Sequence, residues 1–212
     1  MTQLEAYVPP ASAAKALTPT ELLAALRAAL DPWTPGTPFW IFAYGSLMWN
    51  PQFTWDARHV ATIRGFHRSF RVWSRVNRGT PENPGLVLTL ERGGSCRGLV
   101  YRIEADRVQE EMQLIWKREM RFGSYCPKWL ECVVGDQSMR ALAFTVNRQC
   151  SGYAGEIPEA VVVEAIASAR GRYGPAHDYL FKTTETLREH GIRDSRVEHL
   201  AGLVRARLEA TA

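Results

Sequence analysis

The apolar positions of this chain change their spacing as it runs. From Phe39 to Tyr44 they are continuous, and Gly45-Ser46 ends the run. Such a run, closed by a glycine, predicts a strand buried on both faces. Glycine permits backbone angles closed to other residues. A strand ending in Gly-Ser can therefore turn several N–H groups toward one point and form a concavity that suits an anion. Upstream, Thr18-Pro19-Thr20-Glu21 has the marks of a helix start: Thr18 to cap, Pro19 at the first helical position and Glu21 to close a capping box. That helix is expected to reach about Leu30. Asp31–Pro38, with three prolines and a glycine, is expected to be a stiff linker.

Downstream, to about Val146, the pattern is mainly β. Strands are expected over Arg58–Gly65 and His67–Arg75. Leu86–Leu90 and Arg97–Ile103 read as a hairpin around Gly93-Gly94, and Tyr125–Val134 and Ser138–Val146 as a pair around Gly135-Asp136. Asn77–Gly85 is a loop, rich in Pro, Gly and Asn. One helix, Asp106–Arg121, is inserted among the strands. The last third is helical: Pro158 to about Arg170, Pro175–His190, and Ser195–Leu208 with Val197, Leu200, Leu203 and Val204 at helical spacing. Strands first and helices later argue α+β. Six or seven short strands, mostly antiparallel, predict a small mixed β-barrel, closed or nearly so, with flanking helices. Residues 1–17 are Ala-rich with Pro9-Pro10 and read as a loose lead-in. Residues 1–38 are thus expected to form an N-terminal helix and Pro-rich linker, and residues 39–212 the domain proper.

Composition narrows the function by exclusion. The 212 residues carry a net charge of +4, with no basic run that would suit nucleic acid or a lipid surface. Cys96, Cys126, Cys132 and Cys150 form no Cys-x-x-Cys pair, so reduced thiols in a reducing cytoplasm are expected rather than a zinc site or a disulfide framework. The five histidines lack metal-ligand spacing. No metal is expected. The N-terminus has no basic segment followed by an apolar core, so no signal peptide is expected. No apolar run approaches the roughly 20 residues of a membrane span.

The candidate chemistry lies in two places. On the inserted helix, Val108, Met112, Ile115 and Glu119 are spaced four, three and four, which puts them on one face. A carboxylate pointing the way core residues point is costly unless it is paired or has a task, and partial burial would raise its pKa toward values useful for proton transfer. The plainer alternative sets Glu119 at the rim, paired with Arg118, Arg121 or Lys117. Spacing alone leaves both open. The second place is Ser46. It has neither a Gly-x-Ser-x-Gly elbow nor a His-Asp pair in view, so it reads as a binding residue of the turn rather than a nucleophile. Tyr125 and Tyr153 each offer a phenolic hydroxyl.

Several ordered motifs resemble one family. Tyr44-Gly45-Ser46-Leu47-Met48-Trp49 resembles the Tyr-Gly-Ser-Leu-Ile-Trp signature of ChaC-type gamma-glutamylcyclotransferases. Arg118-Glu119-Met120 followed by Tyr125 is similar to that family's Arg-Glu-x…Gly-Tyr segment, and Asn77–Gly85, Gly94–Gly98, Tyr153–Gly155 and Gly171–Leu180 add further matches. The resemblance covers roughly Phe39 to Leu208. It implies the gamma-glutamylcyclotransferase-like barrel and cofactor-free cleavage of glutathione to 5-oxoproline and cysteinylglycine. It also implies Glu119 as general acid/base, and a binding set of Ile41, Phe42, Ala43, Tyr44, Gly45, Ser46, Leu47 and Tyr125. The implied partner is a small molecule, with no nucleic acid and no membrane. The chain departs from the family at Ala43 and Ser124, where Gly is usual. Those departures bear on substrate preference, so other gamma-glutamyl amides stand as the alternative substrates.

Overall fold

β1 (Phe39–Ala43) is the strand that the apolar run predicts. In the computed structural model, which describes residues 16–211, it has a neighbour on each side. It pairs antiparallel with β3 (Gly85–Ile103), Phe39 opposite Ile103 and Ala43 opposite Leu99. It pairs parallel with β5 (Gln137–Val146), Phe42 opposite Ala143. Phe39, Ile41 and Phe42 are fully buried. Burying each such side chain stabilises the fold by roughly 1.5–3 kcal/mol. With β2 (Ala57–Ser74) and β4 (Tyr125–Val134) the strands close a mixed barrel in the order β1-β3-β2-β4-β5. β4 and β5 form the expected hairpin, in register from Tyr125 opposite Val146 to Val134 opposite Gln137.

The α+β barrel expectation holds, but the strand count does not. Arg58–Gly65 and His67–Arg75 are one strand, β2, and the segments flanking Gly93-Gly94 are one strand, β3. The hairpin expected at Gly93-Gly94 is absent, and among the described residues the barrel has five strands instead of six or seven. The reason lies in the glycines. Gly65, Gly93 and Gly94 take left-handed φ values of 80°, 102° and 70° inside the strands. Glycine there bends a long strand and lets it continue, as bulges do, where in a shorter strand it would mark a turn.

The described residues divide into two compact units. One, residues 16–68 and 90–147, holds the barrel pairings given above, together with α1 (Pro19–Leu30) and α2 (Val108–Glu119). α1 starts on the predicted capping box, with the Thr18 hydroxyl accepting from the Glu21 N–H and the Glu21 carboxylate accepting from the Thr18 N–H. The lead-in expected over residues 1–17 lies, up to residue 15, outside the described residues.

The other unit, residues 69–89 and 148–211, holds α3 (Glu159–Ser168), α4 (Ala176–Glu189) and α5 (Ser195–Glu209). These match the predicted helices within two residues at each end. A two-strand ribbon, β6 (Arg170–Gly171) with β7 (Gly174–Pro175), was not foreseen. It seats the Asn77–Gly85 loop. The buried Arg78 guanidinium donates to the carbonyls of Tyr173 and Pro175, at 2.8 and 3.1 Å, and the Tyr173 N–H donates to the Asn77 carbonyl at 3.0 Å.

One close approach inside the barrel gives a test. A Cβ on Gly98 would lie 2.3 Å from the Ala43 carbonyl oxygen and 2.8 Å from the Phe42 ring. Gly98→Ala must push β3 off β1, and overpacking of this kind costs about 1–3 kcal/mol. The expected result is a lower urea midpoint with an unchanged m-value. An unchanged midpoint would mean that the strand pair yields without cost.

Candidate active site

Where β1 ends, the chain tightens into a 3-10 turn, Ser46–Met48. The Met48 N–H donates to the Gly45 carbonyl at 2.9 Å and the Asn50 N–H to the Ser46 carbonyl at 2.8 Å. At the head of the turn, the N–H groups of Gly45, Ser46 and Leu47 donate to no acceptor among the described residues. Three successive free N–H groups are what an anion-binding concavity requires.

The turn is pinned from several sides. The Tyr44 hydroxyl donates to the Phe144 carbonyl on β5 at 2.7 Å. Arg68, 5% exposed, donates from Nε to the Tyr44 carbonyl at 2.7 Å and from Nη2 to the Arg97 carbonyl, and lies 3.9 Å from Met48 Sδ. The Tyr101 hydroxyl donates to the Met48 carbonyl at 3.0 Å, and burial pushes its pKa up. The Tyr44 hydroxyl is thus committed to the scaffold. Ile41, Phe42 and Ala43 lie behind the turn with their side chains in the core, and Leu47 is buried with them.

Glu119 is the last residue of α2. Val108, Met112 and Ile115 on the same stripe are buried, and the Glu119 side chain keeps 13% of its surface exposed. Its carboxyl is held above the ordinary carboxylate range by burial, opposed by the charge and hydrogen bond of Arg118. Glu119 lies on the core stripe and not at the rim, yet it makes the ion pair of the plainer alternative with Arg118, Nε to Oε1 at 3.0 Å. The same guanidinium donates from Nη2 to Ser46 Oγ at 2.8 Å and from Nη1 to the Asn50 carbonyl, with Gln52 Oε1 at 3.3 Å. Arg118 therefore ties the carboxylate to the turn. The Ser46 oxygen accepts from a cation, which weakens it as a nucleophile and leaves its O–H to donate.

Phe144 gathers the remaining aromatic residues. Its ring lies 5.8 Å from that of Trp116 and 6.4 Å from that of Tyr125, which is half-buried at the head of β4. The structure thus brings Tyr44, Gly45, Ser46, Leu47 and Glu119 together, with Tyr125 reached through Phe144. Two residues of the constellation were missed as members of it. Arg68 had a signal: on β2 it shares the inward alternation of the buried Phe70 and Val72, so a cation stands in a core register. The bridging role of Arg118 had none, because the turn it reaches is 72 residues away in sequence.

The four cysteines are free. Burial, with smaller effects of Cys96 and Glu131, pushes the Cys132 thiol up to about 12 and keeps it unreactive. Among the described residues, no group of three or more His, Cys, Asp or Glu side chains is placed to hold a metal ion, and no helix is long and apolar enough to cross a membrane.

A family model described as ChaC-like protein matches residues 39–207. The chain is 35% identical over 164 residues to the glutathione-specific gamma-glutamylcyclotransferase of Escherichia coli, covering 77% of this chain and 71% of that one. It is 33% identical over 202 residues to glutathione-specific gamma-glutamylcyclotransferase 1 of Mus musculus, covering 92% and 90%. Among solved structures, a yeast gamma-glutamyl cyclotransferase specific to glutathione superposes with a TM-score of 0.75 at 22% identity, covering 80% of this chain and 96% of that one. That likeness establishes the shared fold.

Proposed function

The chain belongs to the ChaC-like family, and from that membership we propose that it cleaves glutathione to 5-oxoproline and cysteinylglycine by intramolecular cyclotransfer. Relatives named for that reaction, at 33–35% identity, support the reading. The observation that carries it in this chain is one guanidinium joining a carboxyl of raised pKa to a turn with free N–H groups.

The substrate brings its own nucleophile. Its α-amine attacks the γ-carbonyl carbon, a five-membered lactam closes, and the bond to the cysteinyl nitrogen breaks. The amine loses one proton as the new C–N bond forms, and the leaving nitrogen gains one, so no water is consumed. The turn at Tyr44–Leu47, anchored by Ile41, Phe42 and Ala43, holds the α-carboxylate on its N–H groups, with the Ser46 hydroxyl as a further donor. Tyr125 flanks the bound group. Holding the chain folded back turns a difficult encounter into a local step, worth on the order of several kcal/mol of barrier. Glu119 accepts the amine proton and then delivers it to the departing nitrogen. A carboxylate with an elevated pKa suits both halves, being a stronger base before the attack and an adequate acid after it. The cytoplasm, where glutathione keeps thiols reduced, is the compartment that fits four free cysteines.

Purified protein incubated with glutathione is expected to release 5-oxoproline and cysteinylglycine in equal amounts. Saturable binding without either product would end the enzymatic reading. Every group in this scheme acts on the γ-glutamyl portion or on the amide nitrogen bonded to it, which other gamma-glutamyl amides share. A parallel assay with γ-glutamyl-alanine therefore measures specificity, and a comparable kcat/KM would widen the substrate class to gamma-glutamyl amides.

A further inference from the structure

One buried polar group beside this site donates to nothing among the described residues. Trp116 is 2% exposed, and its Nε1–H donates to no acceptor among the described residues. Buried donors without partners are rare, because each forfeits the hydrogen bonds it had in water. Trp116 lies on α2 three residues before Glu119, so the two share one side of the helix. Its ring packs 5.8 Å from that of Phe144. Phe144 in turn accepts the Tyr44 hydroxyl at its carbonyl and meets Tyr125 with its ring. The unpartnered donor therefore lies on the Glu119 side of α2 and packs against the residue whose carbonyl pins the turn. Packing alone would be served by a ring with no N–H.

This step rests on the reading that the site processes a γ-glutamyl amide. We infer that the Trp116 indole N–H donates to the γ-carbonyl oxygen of the bound substrate. The free N–H groups of Gly45, Ser46 and Leu47 suit the α-carboxylate. Glu119 must serve the attacking and the leaving nitrogen, both bonded to the γ-carbon during the reaction. The oxygen on that carbon then still needs a donor, and Trp116 is one helical turn from the base. Charge grows on this oxygen as the amine adds, and a donor already fixed in a dry site stabilises that charge without reorganising.

The test uses the full chain. Indole ¹⁵N–H spectra are recorded on the Glu119→Gln protein, which retains the binding turn, with and without saturating glutathione. The Trp116 signal is assigned by its loss in Trp116→Phe. Glutathione is expected to move the Trp116 indole resonance downfield together with the backbone amides of Gly45, Ser46 and Leu47. In parallel, Trp116 in the otherwise unaltered enzyme is replaced by benzothienylalanine, which keeps the ring shape and exchanges N–H for sulfur. This should lower kcat about tenfold and leave KM within about twofold. If the turn amides move and the indole does not, or if kcat is unchanged, the inference is overturned while the proposed reaction stands. If no amide moves and the unaltered enzyme releases no 5-oxoproline, the underlying reading fails and takes this one with it.

Discussion

Glu119→Gln is expected to lower 5-oxoproline release by two to four orders of magnitude while the protein stays folded, the range typical for loss of a general acid–base. Glutamine keeps the length and shape of the side chain, and its carbonyl oxygen can still accept from Arg118. It cannot take the amine proton. Thermal stability should stay level or rise, and the sign follows from linkage. Burial raises the Glu119 pKa in the folded protein, so the native state binds the proton more tightly than the unfolded one. Stability from this group is fully present below the unfolded pKa and is lost as pH rises through the folded value. At neutral pH the group is a liability that glutamine removes. The pH profile gives a second readout. The substrate amine has a pKa of about 8, so kcat/KM should fall with slope one below that point, and with slope two below the Glu119 pKa. The second break should lie above the ordinary value of 4.5 and vanish in the glutamine variant. Near-normal product release from that variant, at any pH, would remove Glu119 from the mechanism.

The barrel was legible in the chain where hydrophobic pattern and local chemistry agree. β1, the β4–β5 hairpin, α1 with its capping box and the three C-terminal helices all follow from run length, turn residues or caps within the element. β2 and β3 were misread because glycine carries two meanings. Next to Asp136, Gly135 turns a hairpin, whereas at Gly65, Gly93 and Gly94 the same left-handed angle sits within a strand that keeps its partners. Only the neighbouring strand decides which, and strand pairing is not local. The loop 77–85 shows the same limit: its residues announced a loop, but its seat on the β6–β7 ribbon depends on Arg172 and Tyr173, nearly a hundred residues on.

The candidate site divides in a similar way. Glu119 was visible because helical spacing places it on a stripe with Val108, Met112 and Ile115, and the turn was visible because Gly45-Ser46 closes an apolar run. That these two meet, and through which atoms, was not visible. In the sequence Arg118 is a neighbour able to neutralise Glu119 and a member of the Arg-Glu motif, with no sign of a further partner. Its fork also reaches Ser46 and Asn50, which takes the barrel to arrange. Arg68 and Tyr101 hold the turn by its carbonyls from β2 and β3. Hydrogen bonds to backbone carbonyls leave no signature in the accepting residue, so the core register of Arg68 is legible in the chain but the carbonyl it holds surfaces only in the structure.

Arg118→Met is the sharper test of how the base and the turn work together. Arg118 is the charged group that lowers the Glu119 pKa against burial, by its charge and by its hydrogen bond. Removing it leaves burial unopposed, so the pKa climbs. A higher pKa leaves less carboxylate at any given pH, and the acid break in kcat/KM must move to higher pH. Ser46 and Asn50 also lose a donor, which loosens the turn that holds the substrate. Together these effects are expected to lower kcat/KM at pH 7 by about ten- to a hundredfold, with part of the loss recovered on raising the pH. Arg118→Lys separates the two contributions. An ammonium can stay beside the carboxylate, but it lacks the planar fork that reaches Glu119, Ser46 and Asn50 at once. The lysine variant should therefore keep the acid break near its normal place and show a raised KM. Ser46→Ala, which removes a hydroxyl and leaves the N–H groups, should cost only a few-fold in KM, about the worth of one hydrogen bond. A methionine variant whose acid break stays put would show that Arg118 holds the turn alone and that burial by itself sets the base.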